Sequence, residues 1–265
     1  MTTAEKPLAV VTGASSGIGL ELAKQFAHHD FDVVLAAEDA ELAGAAEQVR
    51  SCGAAVDLVR TDLARPEGVE ELVERVAATG RPVEALAVNA GVGVNGEFAC
   101  DTRLDDQLTV VDLNVRSAVH LAKRLVPAMV DRGHGRVLFT SSIAGAAPAP
   151  YQVVYAASKA FLTSFSEGLR AEVKDKGVMV TALLPGPTDT EFFERADMED
   201  TKIGAGPKDS AAEVAEAGFA ALMAGDDKVV VGAKNKMTAA ASRMLPDEAK
   251  AAQQGKMMKP GSAQE

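Results

Sequence analysis

Seven short runs of apolar, largely β-branched residues recur along the chain, at 8–12, 32–36, 55–60, 85–89, 136–141, 178–184 and 229–231. Between them lie segments of helical length, among them 20–28, 41–52, 67–79, 104–131 and 153–176. The runs are continuously hydrophobic, which suits strands covered on both faces. Their alternation with helices predicts right-handed βαβ units, and so an α/β fold built on a mostly parallel, doubly wound sheet. Pro127 sits late in its helical stretch and should kink or end it. Two regions break the pattern. Residues 188–207 are polar, mixed in charge and interrupted by Gly204, Gly206 and Pro207, while the tail from Pro246 is rich in Ala, Gln and Lys with little periodicity. The first has the length of a lid over a site, or of a mobile surface loop. The tail could pack against a partner subunit or fray.

At 265 residues the chain suits a single domain, 1–245, followed by a tail, 246–265. A formal charge of -11 argues against sequence-independent nucleic-acid binding, which needs clustered Lys and Arg. Cys52 and Cys100 are isolated, so neither a disulfide framework nor a zinc site is indicated, and no metal is expected. No run approaches the ~18 apolar residues of a membrane span. The N-terminus lacks the charged and apolar regions of a secretory signal, and the expected compartment is the cytoplasm.

Chemistry enters with Tyr155 and Lys159. Four residues apart on a helix, they share a face, and an ammonium beside a phenol favours the ionised form over its free value of about 10. Such a pair also occurs by chance on solvated helix surfaces. A second motif, Thr12-Gly13-Ala14-Ser15-Ser16-Gly17-Ile18-Gly19, follows the first strand and opens the first helix. Glycines there let the backbone turn tightly and approach a pyrophosphate, whose charge faces the helix N-terminus. The same residues satisfy G-x-S-x-G, the nucleophile elbow of serine hydrolases. That reading fails because the short segment before the strand leaves no upstream loop for an oxyanion hole, and no histidine is placed to serve Ser15.

Ligands of open α/β sheets bind at the carboxyl ends of the strands. Gly13 follows the first strand, Asp62 the third, Asn89-Ala90-Gly91 the fourth, Ser142 the fifth and Pro185-Gly186 the sixth. Each has an ordinary alternative, a helix cap for Asp62 or a turn for Gly91, but their coincidence at one edge favours one site.

In these motifs and their order, from Lys6 to Gly232, the chain resembles the short-chain dehydrogenase/reductase family. The resemblance implies a Rossmann fold of about seven strands, a nicotinamide cofactor and reversible hydride transfer between an alcohol and a ketone. By the same resemblance Tyr155 is the general acid/base, Ser142 hydrogen-bonds the substrate oxygen, and Lys159 lowers the tyrosine pKa and holds the nicotinamide ribose. Asn114 would complete the tetrad through a water relaying protons to Lys159. The family's spacing selects Ser142 over Ser141. Cofactor contacts would come from Gly13, Ser15, Ser16, Gly17, Ile18 and Gly19 in the turn. Further contacts would come from Glu38, from Asp62 and Leu63 near the adenine, and from Asn89, Ala90 and Gly91. Pro185, Gly186, Thr188 and Thr190 would lie on the nicotinamide side. Homodimers or homotetramers are common in the family.

The second strand bears on NAD against NADP. It ends Ala36-Ala37-Glu38-Asp39, with two carboxylates and no cation nearby, and Ser16 stands where many NADP users carry a basic residue. NAD is therefore expected, with NADP as the alternative. The pocket should be lined by residues after Ser142, by 91–97 and by 188–207, including Val92, Val94, Ile143, Phe192 and Phe193. Such a lining suits an apolar ketone or secondary alcohol, although core packing uses the same residues. Residues 229–246 are similar to a branch of broad reductases. A non-catalytic dinucleotide sensor or scaffold of the same fold is the rival reading; the intact Ser142, Tyr155 and Lys159 count against it.

Overall fold

Five consecutive buried residues, Leu8–Thr12, form β1 at the centre of the sheet. The computed structural model describes residues 5–232, 235 and 246–264. After β1 come α1 (Gly17–His28), β2 (Asp32–Ala37), α2 (Leu42–Ser51), β3 (Val56–Arg60), α3 (Pro66–Ala78) and β4 (Val83–Val88). The chain continues through α4 (Leu104–Val111), α5 (Ser117–Arg132), β5 (Gly135–Thr140), α6 (Val153–Val173) and β6 (Val178–Leu184). It then forms β7 (Thr188–Asp189), α7 (Phe192–Arg195), β8 (Asp209–Ser210), α8 (Ala211–Ala224), β9 (Lys228–Val230) and α9 (Asp247–Met258). Seven strands pair in parallel in the order β3-β2-β1-β4-β5-β6-β9, a Rossmann sheet, and β7 and β8 pair separately. The order reverses between β1 and β4, which opens a crevice at their carboxyl ends.

Two apolar clusters, one on each face, make a three-layer sandwich. On one face Leu22 and Phe26 of α1, Leu42 of α2 and Phe219 of α8 pack on Val11, Leu35 and Leu138. On the other, Leu72 of α3, Leu121 and Met129 of α5 and Leu162 of α6 pack on Val10, Leu86 and Phe139. Fully burying a Leu or Phe side chain contributes roughly 1.5–3 kcal/mol, so both faces are needed to offset ordering the chain. Among the described residues no helix is long and apolar enough to cross a membrane.

The structure departs from the sequence pattern in several places. β3 lies at the sheet edge and is only partly covered, with Leu58 and Arg60 exposed. The stretch 104–131 is not one helix: a π turn at Asp112–Arg116 separates α4 from α5, and Asn114 within it is buried. Pro127 does not end α5, which runs on to Arg132 and stops at Gly133 in the left-handed conformation (φ 69°). Burial of Leu125, Val126 and Met129 on both sides of the proline holds the helix together there. The tail is neither frayed nor free. Helix α9 returns over the mouth of the crevice, with Met258 packed against Phe193, Ala196 and Met198. The Met257 carbonyl accepts the Ile203 N–H (3.1 Å), and Ser262 Oγ accepts the Lys202 N–H (3.0 Å). Of the segment 229–246, residues 233, 234 and 236–245 lie outside the described residues, and so does the expected boundary at 245.

Candidate active site

At the first turn, Gly13 and Gly17 adopt φ of 63° and 54°, a backbone region that side chains strain to enter. Gly19 is required for another reason: a Cβ there would stand 2.0 Å from the Gly13 carbonyl oxygen, so only glycine lets α1 approach the turn. The N-terminus of α1 has no side-chain cap and no acidic residue in its first turn. Its positive dipole end is thus left for an anion. Ser15, Ser16, Gly17 and Ile18 line the crevice, whereas Gly19 lies behind its wall.

At the ends of β4 and β5 the remaining chemistry converges. Lys159 Nζ, buried on α6, donates to the Thr140 carbonyl (2.9 Å) and stands 5.6 Å from the centre of the Tyr155 ring. Ser142 Oγ accepts the Ala144 N–H (3.1 Å), donates to the Pro185 carbonyl (3.5 Å) and lies near enough to the Tyr155 hydroxyl to bear on its titration. Ser141 faces elsewhere, donating to the Lys159 carbonyl (2.7 Å) and pairing with Thr163 Oγ1 (2.7 Å). The tyrosine ring packs against Phe192 of the 188–207 segment, centroids 5.1 Å apart. Gly93 permits that contact, since a Cβ there would meet Phe192 at 2.7 Å.

Asn114 is placed behind the crevice wall. Its Oδ1 accepts the Val92 N–H (2.9 Å), and its Nδ2 donates to the Val92 carbonyl and to Ser158 Oγ, both at 2.9 Å. A Cβ at Gly91 would stand 3.1 Å from Asn114 Oδ1 and 3.2 Å from Lys159 Nζ, so the two groups flank that glycine.

Burial pushes the Tyr155 phenol up to about 12, and the Ser142 hydrogen bond opposes that shift. Burial pulls the Lys159 ammonium down to about 8. The expected lowering of the phenol by its neighbour is therefore reversed: loss of solvent around a would-be phenolate outweighs any help from an ammonium that faces the ring and Thr140. Tyr155 here is a protonated phenol.

The end of the crevice beside β2 and β3 is lined by Glu38, Asp39, Asp62 and Leu63. Asp62 Oδ1 accepts the Ala64 N–H (2.8 Å), and Leu63 is buried. Burial, then Asp62 and Asp39, raise the Glu38 pKa, while Arg195 lowers it. Arg195 corrects the expectation that no cation stands here: both its Nη atoms reach Asp39 Oδ2 at 3.3 Å. On the far side, Thr188 Oγ1 donates to the Gly186 carbonyl (3.0 Å), and Thr190 is close enough to Gly17 that a Cβ there would meet its Cγ2 at 2.9 Å. Pro185, Gly186, Thr188, Thr190, Ala90 and Gly91 all line the crevice.

This arrangement of strand ends, glycine turn and Ser-Tyr-Lys cluster matches a known family. The family profile described as short chain dehydrogenase aligns with residues 7–200. The chain belongs to that family. A dehydrogenase/reductase SDR family protein 7-like of Drosophila melanogaster is 35% identical over 191 residues, 69% of this chain and 57% of that relative's length. Among solved structures, a short-chain dehydrogenase from Sphingobium yanoikuyae in complex with NADPH superposes with a TM-score of 0.79 at 30% identity, over 89% of this chain and 94% of its own. A short-chain dehydrogenase/reductase from Burkholderia phymatum in complex with NAD gives 0.80 at 26% identity, over 91% and 94%.

Within this fold, Gly19 and Asn114 support the crevice from behind, and Asn89 lines it with its amide engaged by protein partners. Val94 also misses the crevice, packing with Val110 and Ala144 behind Tyr155. The lining also includes Gln152 after Ser142 and Arg195, Met198 and Ile203 of the expected 188–207 segment, none of them singled out in the sequence reading, and Gln254 and Met258 of α9, which it did not expect there. Gln152 carried a usable signal, standing at the N-cap of α6 three residues before Tyr155. The Arg195–Asp39 pair and the Met258 contacts carried none, because those partners are remote in sequence.

Proposed function

We propose that the protein is a nicotinamide-dependent oxidoreductase acting on an alcohol/ketone pair, with Tyr155 as general acid/base. The observation that carries this reading is the meeting of one hydroxyl, one phenol and one ammonium, Ser142, Tyr155 and Lys159, at the carboxyl ends of β4 and β5. The crevice fits a dinucleotide: an uncapped helix N-terminus faces it, and the glycines at 13, 17 and 91 leave room that a Cβ would take. Gly13 to Ile18 would hold the pyrophosphate, Glu38, Asp62 and Leu63 the adenosine, and Ala90, Lys159, Pro185, Gly186, Thr188 and Thr190 the nicotinamide half. When bound, that group supplies the hydride.

The protein's own part is the proton and the charge. As negative charge grows on a carbonyl oxygen, Ser142 Oγ turns its proton toward it and Tyr155, protonated at neutral pH, delivers one. Lys159 is a cation below about pH 8 and stands close enough to favour phenolate once the proton has left. Asn114 positions Val92 and, through Ser158, helix α6, and acts on Lys159 only across Gly91. Ile143, Phe192, Phe193, Met198, Ile203 and Met258 surround the remaining space, which supports an apolar ketone or secondary alcohol. Glu38 and Asp39 support NAD over NADP. Exposed Leu104, Leu108 and Val111 on α4, with Val153 and Phe161 on α6, support association with a second copy.

The test is loss or gain of absorbance at the nicotinamide wavelength with ketones and alcohols of graded size and both cofactors. Tyr155→Phe should keep NADH affinity within about three-fold and lose roughly 100- to 10,000-fold in turnover. A fully active variant overturns the assignment.

A further inference from the structure

Asp39 follows β2 by two residues, in the region where a carboxylate or an arginine decides between ribose and ribose 2′-phosphate. Read alone, the pair Glu38 and Asp39 opposes a phosphate twice. The fold changes that balance with a residue 156 positions further on. Asp39 Oδ2 accepts Ser15 Oγ (2.7 Å) and both Nη atoms of Arg195 at 3.3 Å. Arg195 Nη2 also pairs with Glu191 (2.7 Å), whose Oε2 in turn accepts Ser16 Oγ (3.2 Å). The guanidinium thus bridges the lid segment, the glycine turn and the end of β2, and its side chain is 45% exposed to the crevice side of the molecule.

We propose that Arg195, carried on the lid, sets how well this site tolerates a phosphate on the adenosine ribose. The inference rests on the dinucleotide reading above and deepens it. Three features argue for it. Arg195 brings one positive charge, shared between Asp39 and Glu191, to a strand end where two carboxylates were counted and no cation. Its contacts to Asp39 are long and share a single oxygen, while a phosphate offers a guanidinium two or three oxygens in a planar fork. Arg195 also lowers the Glu38 pKa, so its charge is felt at the second carboxylate as well. The other guanidinium near this strand end, Arg60, directs its Nε to the Glu38 backbone carbonyl (2.9 Å).

The experiment measures NADH and NADPH dissociation constants by nicotinamide fluorescence, at fixed ionic strength, for the unmodified protein and four variants. Arg195→Gln should raise the NADPH/NADH ratio of Kd about ten-fold, the worth of one charge-assisted contact. Arg195→Lys should retain most of the original ratio, Asp39→Asn should lower it, and Arg60→Gln should leave it unchanged. Equal weakening of both cofactors by Arg195→Gln would assign Arg195 to holding the lid and overturn the inference. So would an unchanged ratio, or a ratio that moves only in Arg60→Gln. If the unmodified protein binds neither cofactor, the dinucleotide reading fails and this inference with it.

Discussion

Lys159 is the place where function and stability conflict most directly. Its ammonium is buried with a hydrogen bond to the Thr140 carbonyl, and burial moves its pKa from 10.5 to about 8. A shift of that size corresponds to about 3 kcal/mol, at about 1.4 kcal/mol per unit. The sign follows from proton counts. Between pH 8 and 10.5 the unfolded chain holds a proton on this lysine that the folded protein has lost, so stability rises with pH across that window. Below pH 8 the folded state bears the whole desolvation cost. Lys159→Met keeps a stem of similar length and removes the charge. It also strands the Thr140 carbonyl, at a cost of about 1–3 kcal/mol, so the variant should be about 1 kcal/mol more stable than the native protein at pH 7. That advantage should then shrink and reverse, the gap moving by about 3 kcal/mol between pH 7 and 10. Tyr155, raised to about 12, contributes the opposite slope only above pH 10, and contributes it to both proteins. Urea unfolding of the cofactor-free proteins at pH 7, 8, 9 and 10 reads the gap directly. A gap that stays constant with pH would refute the reasoning, because it would mean that Lys159 titrates alike in the folded and unfolded states.

Two further outcomes test the surroundings. Gly19→Ala places a Cβ 2.0 Å from the Gly13 carbonyl oxygen, so NADH affinity should fall at least about 100-fold through loss of the turn; unchanged affinity in a fluorescence titration would show that α1 can retreat at little cost. Met258→Glu puts a carboxylate into the cluster with Phe193 and Met198, and should raise KM for apolar ketones about ten-fold while NADH Kd stays constant; a parallel loss of NADH binding would assign α9 to the cofactor half of the crevice.

The parallel sheet was legible because burial on both faces writes itself into sequence as unbroken apolar runs, and β1, buried at all five positions, is the clearest case. The site was legible for a topological reason: once the strands are parallel, their carboxyl ends share one edge, which gathers Gly13, Gly91, Ser142 and Gly186. What stayed hidden depends on tertiary contacts. No local periodicity announces the π turn that buries Asn114. Helix α9 buries only Met258 along its length, so its sequence carries no apolar stripe to read. The Tyr155 pKa was misjudged because a neighbour at four residues is visible in sequence, whereas the depth of burial is a property of the whole lid.

A hydrogen-bonded frame explains how remote strand ends hold the reacting groups in register. Asn89 Nδ2 donates to the Thr12 carbonyl (3.1 Å), and Asn89 Oδ1 accepts Thr140 Oγ1 (3.0 Å). Thr12 Oγ1 in turn accepts the backbone N–H groups of Asn89 (3.0 Å) and Ala90 (3.1 Å). The carbonyl of that same Thr140 holds Lys159 Nζ. The end of β1, where the glycine turn begins, is therefore joined through β4 and β5 to the ammonium by side chains and backbone groups that are mostly buried and mutually satisfied. Buried polar networks of this kind favour one arrangement, because shifting any member leaves another unpaired in low dielectric. Asn89, which lines the crevice, also ties the glycine turn to the Ser-Tyr-Lys cluster. The hydride transfer proposed above would tolerate little misplacement of the reacting atoms. Joining both halves of the crevice to one rigid sheet edge would meet that demand.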